Sequence, residues 1–499
     1  MNSTPRPENR PEPHPDHRPR HRRLALVGSI IGAVIVALDG TVLTIAQPSL
    51  QRDLGASFVQ VQWTSTGYLI AVASLLVFAG RLGDRYGHQR IFALGILGFG
   101  AASAGIALAP DVYWVIGLRI VQGIFGALLQ PATLGMLRAT YPPDELGMPI
   151  ALRTSAIGLA AAAGPVIGGA LTARLGWQSV FLLNVAPALV IGVLALLVRI
   201  PTPRQTAVPT RLDLPGACLL ATALACLVHT LVGIPESGWT ATTVLGLVAM
   251  AAAGIAFVRH ERRTPSPLVP PAVLGSPTVA SALGILLAAS AAMFGALFIG
   301  TYFLQDILAL DPLQSGLRVL PLAAMMVLSA PASAVLQRRH GPRRTTAAAM
   351  TLLALGILLL SRLDQSSPTV AISGGFLLLG AGFGTVMVTA TAVIVRHAPV
   401  AHAGVAGGLQ QTAMNIGPAL GVAAATVLMT VTAPGDAAGR PAHGNGPHWS
   451  GPAFTAAMGT TLTAFAAVAA IGALLAVRLP GRTARRTAEP AEPSSATAP

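Results

Sequence analysis

The feature that most constrains this chain is a series of apolar runs, each about as long as a membrane crossing, cut by short loops that hold most of the charge. Fourteen runs can be marked: 24–46, 61–79, 91–109, 113–137, 149–172, 179–198, 214–234, 241–258, 278–304, 317–336, 345–361, 369–395, 403–432 and 453–477. About 20 residues of helix cross the hydrocarbon. A crossing segment must pair every backbone group internally, and these runs do not alternate as barrel strands do, so each is expected to be a helix. Composition agrees. Of 499 residues, 53% are hydrophobic and 10% charged, against about 25% charged in a soluble domain. The expected fold is all-α and integral to the membrane.

Charge sets the orientation. All 32 side-chain cations other than histidine are arginine. With the N-terminus inside, 25 of them fall in cytoplasmic segments, four fall outside (Arg52, Arg174, Arg362, Arg440) and three lie within runs (Arg119, Arg153, Arg318). That asymmetry is the positive-inside pattern. It places both termini in the cytoplasm and the chain in the plasma (inner) membrane. The net charge of +14 therefore needs no nucleic acid. The first run is too long for a signal-peptide core and lacks a cleavage site. Cys218 and Cys226 read as small core residues, with no disulfide or metal framework.

The chain also repeats. His340-Gly341-Pro342-Arg343-Arg344 follows the tenth run as Tyr86-Gly87-His88-Gln89-Arg90 follows the second, the two glycines standing 254 residues apart. This suggests a six-helix half at 24–199, a linker with two inserted helices at 200–263, a second half at 264–478, and polar, disordered tails at 1–23 and 479–499. Internal repeats mark secondary transporters, which bind substrate between halves near mid-membrane. Arg338 stands where Asp84 stands in the first copy, so an acid-based latch would be one-sided.

Two charges lie deep. Asp39 is about seven residues from the outer end of the first run, and Arg119 is at similar depth in the fourth. An intramembrane carboxylate is costly and marks function by default. Paired, the two could exchange a proton; the alternative is a purely structural pair near the interface. The stretch Gly80-Arg81-Leu82-Gly83-Asp84-Arg85-Tyr86-Gly87-His88-Gln89-Arg90 reads as a tight cytoplasmic turn. Its glycines permit the backbone path, and Asp84 between Arg81 and Arg85 suggests an ionic latch. Gly164 and Gly168 form a small-xxx-small packing face, and Pro165 bends that run. Gln62, Tyr68, Gln122, Gln130, Gln305, Gln411 and Asn415 are candidates for a substrate cavity. His229 reads as an interface residue, and His397 and His402 as solvated.

The Gly80–Arg90 stretch, G-x-L-G-D-R-x-G-x-x-R, resembles the loop between helices two and three that is a signature of the major facilitator superfamily. Leu38-Asp39-Gly40-Thr41-Val42 resembles a motif of its fourteen-helix drug:proton antiporter branch. Leu118-Arg119-Ile120-Val121-Gln122-Gly123, with Gly126-Ala127 and Pro131, resembles the fourth-helix motif whose arginine is linked to proton coupling. Gly158 and Gly164-Pro165-Val166-Ile167-Gly168-Gly169 resemble the fifth-helix antiporter motif found in exporters. Trp177, Phe181, Asn184 and Pro187 resemble the start of the branch's sixth helix. The resemblance spans roughly 24–478 and departs at Thr44 and Gln47.

The resemblance implies fourteen helices, in two six-helix halves plus two inserted. It implies a monomeric, proton-coupled exporter of amphipathic organic compounds such as drugs and antibiotics, working on protons and a small-molecule substrate in a bilayer, with no cofactor. A specific metabolite carrier and a membrane sensor on the same fold are the alternatives. With no Gly-Lys-Ser/Thr phosphate loop, ligand cluster or nucleophile–base pair, no enzyme is expected. The sequence does not name the compound.

Overall fold

The structure is a computed structural model, and it describes residues 19–56, 58–198, 212–237, 240–270, 273, 275–310, 312–399, 402–432 and 451–481. Its α-helices, in chain order, are α1 (Pro19–Asp53), α2 (Phe58–Tyr86), α3 (His88–Ala107), α4 (Val112–Thr140), α5 (Gly147–Leu175), α6 (Gln178–Leu197), α7 (Leu214–Ser237), α8 (Ala241–Glu261), α9 (Pro277–Tyr302), α10 (Pro312–Leu360), α11 (Thr369–His397), α12 (Ala403–Thr432) and α13 (Gly451–Leu475). Among the described residues there is no strand. Twelve helices among the described residues are long and apolar enough to cross a membrane, or thirteen if the bent α5 is one span. On α8, Leu245, Val248 and Ile255 are each more than half exposed. An apolar helix that turns its large side chains outward needs hydrocarbon around it rather than water.

The helices outrun the apolar runs. The run marks the depth of hydrocarbon, whereas the helical hydrogen bonds carry on into polar flanks. Thus α1 begins at Pro19, so residues 19–23 of the expected disordered tail are helical. Arg22 there pairs with Glu145 at 2.9 Å. At the other end Leu479, expected to open a tail, is buried, and the Pro480 carbonyl accepts from the Arg343 amide at 3.4 Å. The tail residues 1–18 and 482–499, and residues 200–211 and 238–239 of the expected linker at 200–263, lie outside the described residues.

The expected turn at 80–90 is also mostly helix. α2 continues to Tyr86 and α3 starts at His88, leaving Gly87 alone to turn the chain with φ 95°. Gly341 takes a similar backbone, φ 79° and ψ 162°, inside α10. The 49 residues of α10 would make a rod of about 74 Å, more than twice the hydrocarbon thickness. Gly341 divides it into arms 312–340 and 342–360.

The chain packs as two units: Met1–Val273 with Ala398–Asn415, and Leu274–His397 with Ile416–Pro499. The first unit thus runs ten residues past the expected boundary at 263, and α12 gives its first turns to it. In that unit α1 packs on α4, α5 and α6, α2 on α4 and α7, and α3 on α4 and α6. Leu76, Phe92, Ile96, Phe99 and Leu129 form one buried core and Leu43, Leu50, Val115, Trp177 and Phe181 another. In the second unit α10 packs on α11 and α13, and α9 on α11 and α13.

Candidate functional site

Asp39 and Arg119 meet inside the first unit, each side chain 1% exposed. α1 supplies the acid and α4 the base, and Arg119 Nη1 donates to Asp39 Oδ2 at 2.6 Å. Two further amides serve the carboxylate. Gln122 Nε2 and Asn184 Nδ2 each donate to Oδ1 at 3.1 Å. Gln122 sits one turn beyond Arg119 on the same face of α4, so its Oε1 also accepts from Nη1, while its amide reaches Ser103 Oγ on α3 at 2.8 Å. Arg119 Nε donates to the Thr64 carbonyl at 3.0 Å, and its guanidinium lies 4.2 Å from the centre of the Tyr68 ring.

Five helices therefore converge on one ion pair. Burying two charges is expensive even when they are paired, so the surrounding amides and the ring are needed to hold them. Sequence depth alone brings Asp39 and Arg119 together. The roles of Asn184, Ser103 and the Thr64 carbonyl were not read from it. Gln122, expected at a substrate cavity, is instead spent on this network, and Tyr68 lies under the guanidinium.

The glycines of α5 shape the same place. A Cβ on Gly164 would run into Thr41, and one on Gly168 would lie 2.9 Å from Val42 Cγ1. These positions bring α5 onto α1 within a turn of Asp39. α5 bends by 46° between Gly147–Ala161 and Val166–Leu175. The side chain of Pro165 lies outside the described residues. Gly158 is buried and Gly169 partly so.

The second constellation is at the end of α2. The Asp84 side chain, 5% exposed, turns its oxygens to backbone amides rather than to Arg85, while Arg81, one turn earlier on the same face, acts on it by charge. Oδ1 accepts from the Gly404 amide at 2.6 Å and Oδ2 from the Val405 amide at 3.1 Å. A carboxylate thus caps the first turn of α12, where free N–H groups and the helix dipole favour an anion. The reason is geometric. Residues 80–86 are helical, so Arg85 is adjacent in sequence but not on the Asp84 face. His88 Nε2 lies 3.4 Å from Oδ1.

Arg81 Nη1 faces His402 Nδ1 at 3.3 Å, so His402 is not the solvated residue expected. Burial first, and then the Arg81 charge, hold its imidazole below the ordinary histidine range, which suits a neutral ring accepting from the guanidinium. A Cβ on Gly80 would strike the Gly404 carbonyl, and one on Gly404 the Gly80 carbonyl. α2 and α12 touch there backbone to backbone. A Cβ on Gly83 would lie 2.6 Å from His88 Nδ1, and Arg85 and Arg90 are exposed.

Of the remaining cavity candidates, Gln411 Nε2 hydrogen-bonds Gln130 Oε1, and Asn415 Nδ2 donates to the Gln411 carbonyl at 2.8 Å. Gln62 is half-buried, and Gln305 is exposed on a short π-helix, Phe303–Ile307. His229 stacks on Trp63 with ring centres 5.8 Å apart, fixing α7 to α2.

Membrane-length helices around an enclosed acid–base pair, joined by glycine contacts between helices, define a multi-pass membrane transporter. The chain belongs to the major facilitator superfamily, whose family model matches residues 29–422. It is 41% identical over 405 residues to the tetracenomycin C resistance and export protein of Streptomyces glaucescens, covering 81% of this chain and 75% of that one. It is 36% identical over 432 residues to the puromycin resistance protein pur8 of Streptomyces alboniger, covering 85% and 84%. The multidrug efflux pump LfrA of Mycolicibacterium smegmatis is 28% identical over 408 residues, covering 82% and 81%. The crystal structure of the human organic anion transporter MFSD10 (TETRAN) superposes with a TM-score of 0.62 at 17% identity, covering 91% of this chain and 99% of that one. At that identity the likeness shows the fold alone.

Proposed function

We propose that this chain is a proton-coupled exporter of amphipathic organic compounds, of the kind its relatives are named for. In this reading it crosses the plasma membrane fourteen times, as two six-helix halves with α7 and α8 inserted, both ends in the cytoplasm, and works as a single chain. The observation that carries the reading is the enclosed Asp39–Arg119 pair. When Asp39 takes a proton from outside, the ion pair is lost, but Arg119 keeps the Gln122 oxygen, the Thr64 carbonyl and the Tyr68 face. The guanidinium is therefore not stranded, which limits the cost of neutralising its partner. Release of the proton to the cytoplasm restores the pair, and substrate leaves on the opposite leg of the cycle.

Asp84 serves as the cytoplasmic gate, holding α12 by its first amides, with Gly80 against Gly404 and Arg81 against His402; Gly83, Arg85, Gly87 and Arg90 belong to the same gate segment. The Gln130–Gln411 pair and Asn415 offer polar contacts to substrate. The test is Asp39→Asn in reconstituted vesicles. Substrate should still exchange down its gradient, but an imposed proton gradient should no longer drive accumulation. Accumulation by the variant would assign the proton to another group.

A further inference from the structure

The inserted helices α7 and α8 lie outside the six-helix repeat, yet they are tied to the α2–α12 contact. Asp213 caps α7, its Oδ1 accepting from the Gly216 amide at 2.9 Å and meeting His260 Nε2 at 2.8 Å. This joins the start of α7 to the end of α8. The next residue, Glu261, folds the segment that follows α8. Its two oxygens accept from the Leu268 and Val269 amides at 2.8 and 3.0 Å. Two backbone donors are thereby satisfied in a segment with no helix or sheet to satisfy them.

The fold that Glu261 imposes has a target. Leu268 and Val269 are 1% and 8% exposed and pack in one buried cluster with Val77 of α2, Ala217 of α7 and Val405 of α12. Val405 is the residue whose amide Asp84 holds. Its backbone is caught by α2 and its fully buried side chain by the segment that Glu261 shapes. One residue thus receives both attachments.

We infer that Glu261 is a positioning residue for the Asp84 contact: through Leu268 and Val269 the α7–α8 insertion braces the start of α12 against α2. The inference rests on the reading of that contact as a gate. It assigns the insertion a task in the transport cycle, which neither the six-helix repeat nor the Asp39 pair requires of it.

Amide exchange in lipid nanodiscs tests it. In Glu261→Ala the peptide covering 402–410 should exchange about tenfold faster, the scale of losing a hydrogen bond to a charged group. A peptide within 91–105 of α3 should not change. Leu268→Ala with Val269→Ala keeps Glu261 and should loosen 402–410 in the same way. Asp84→Asn should loosen it too, and Glu261→Ala should then add little, because the two act on one element. Unchanged exchange at 402–410 in the Leu268/Val269 variant, or effects of Glu261→Ala and Asp84→Asn that simply add, would overturn the brace. Should Glu261→Ala loosen α3 as well, the Leu268/Val269 variant decides alone. The gate reading fails separately: Asp84→Asn that loosens 402–410 but transports at the normal rate removes the gate and leaves the brace.

Discussion

A carboxylate in hydrocarbon is too costly to be incidental, so Asp39 and Arg119 could be found by depth alone. Asn184 could not. An uncharged amide is tolerated in a membrane helix for packing as readily as for a site, and only the convergence of α6 on α1 shows that it serves Asp39. Its removal should matter. Asn184→Ala takes one donor from a buried carboxylate, worth about 1.5 kcal/mol or more, and is expected to lower gradient-driven efflux in vesicles about tenfold with downhill exchange retained. His402 was misread for a related reason: its partner Arg81 is 321 residues away in the chain. Its lowered proton affinity gives a signed prediction. The unfolded chain takes up a proton near pH 6.5, the folded ring only at lower pH, so the folded state loses stability as pH falls through that range. His402→Gln, which keeps an acceptor without titrating, should melt more like wild type above pH 7 and above it by pH 5.5. Parallel melting curves at every pH would separate His402 from the Arg81 contact.

At the scale of helices, glycine sets how closely elements approach, and the sequence shows which helix carries the small face but not what fills it. Gly164 and Gly168 were legible as a packing stripe. That the stripe meets Thr41 and Val42 of α1, beside Asp39, comes only from the structure. Gly80 read as freedom for a turn. It lies within α2 and serves close approach to Gly404 instead. The error has one source: a charged, glycine-rich segment between apolar runs looks like a loop, although helical hydrogen bonds persist through it as far as Gly87. Gly164→Ala should force Thr41 and its backbone aside. Overpacking of this kind costs about 1–3 kcal/mol, so the variant should melt lower in detergent and pump more slowly. Gly284→Ala on α9, where an added Cβ would meet nothing within 4 Å, serves as the comparison. Equal melting of wild type and Gly164→Ala would mean that α5 and α1 can separate without loss.

Over the whole molecule, the number of crossings decides where the ends lie, and two helices decide the number. α5 is bent, and α10 is broken by the non-helical backbone of Gly341 and too long for one crossing. If α5 crosses once and each arm of α10 crosses once, the helices make fourteen crossings and both ends share a side. If α10 crossed only once, the count would be thirteen and the ends would part. Length argues for two crossings, since an arm of 342–360 alone spans about 28 Å, close to the hydrocarbon thickness. Charge argues the same way. Arg338, Arg339, Arg343 and Arg344 flank Gly341, and arginine in short loops stays inside. Gly341 also repeats the turn of Gly87, itself set among Arg81, Arg85 and Arg90. Tags on the two termini, probed in intact and in permeabilised cells, should both be reached only after permeabilisation. A cysteine at Gly481 should behave as the termini do, and one at Asp364, past the second arm of α10, should be labelled from outside. A C-terminal tag accessible in intact cells, with the N-terminal tag protected, would make α10 a single crossing and shift every later helix to the opposite sense.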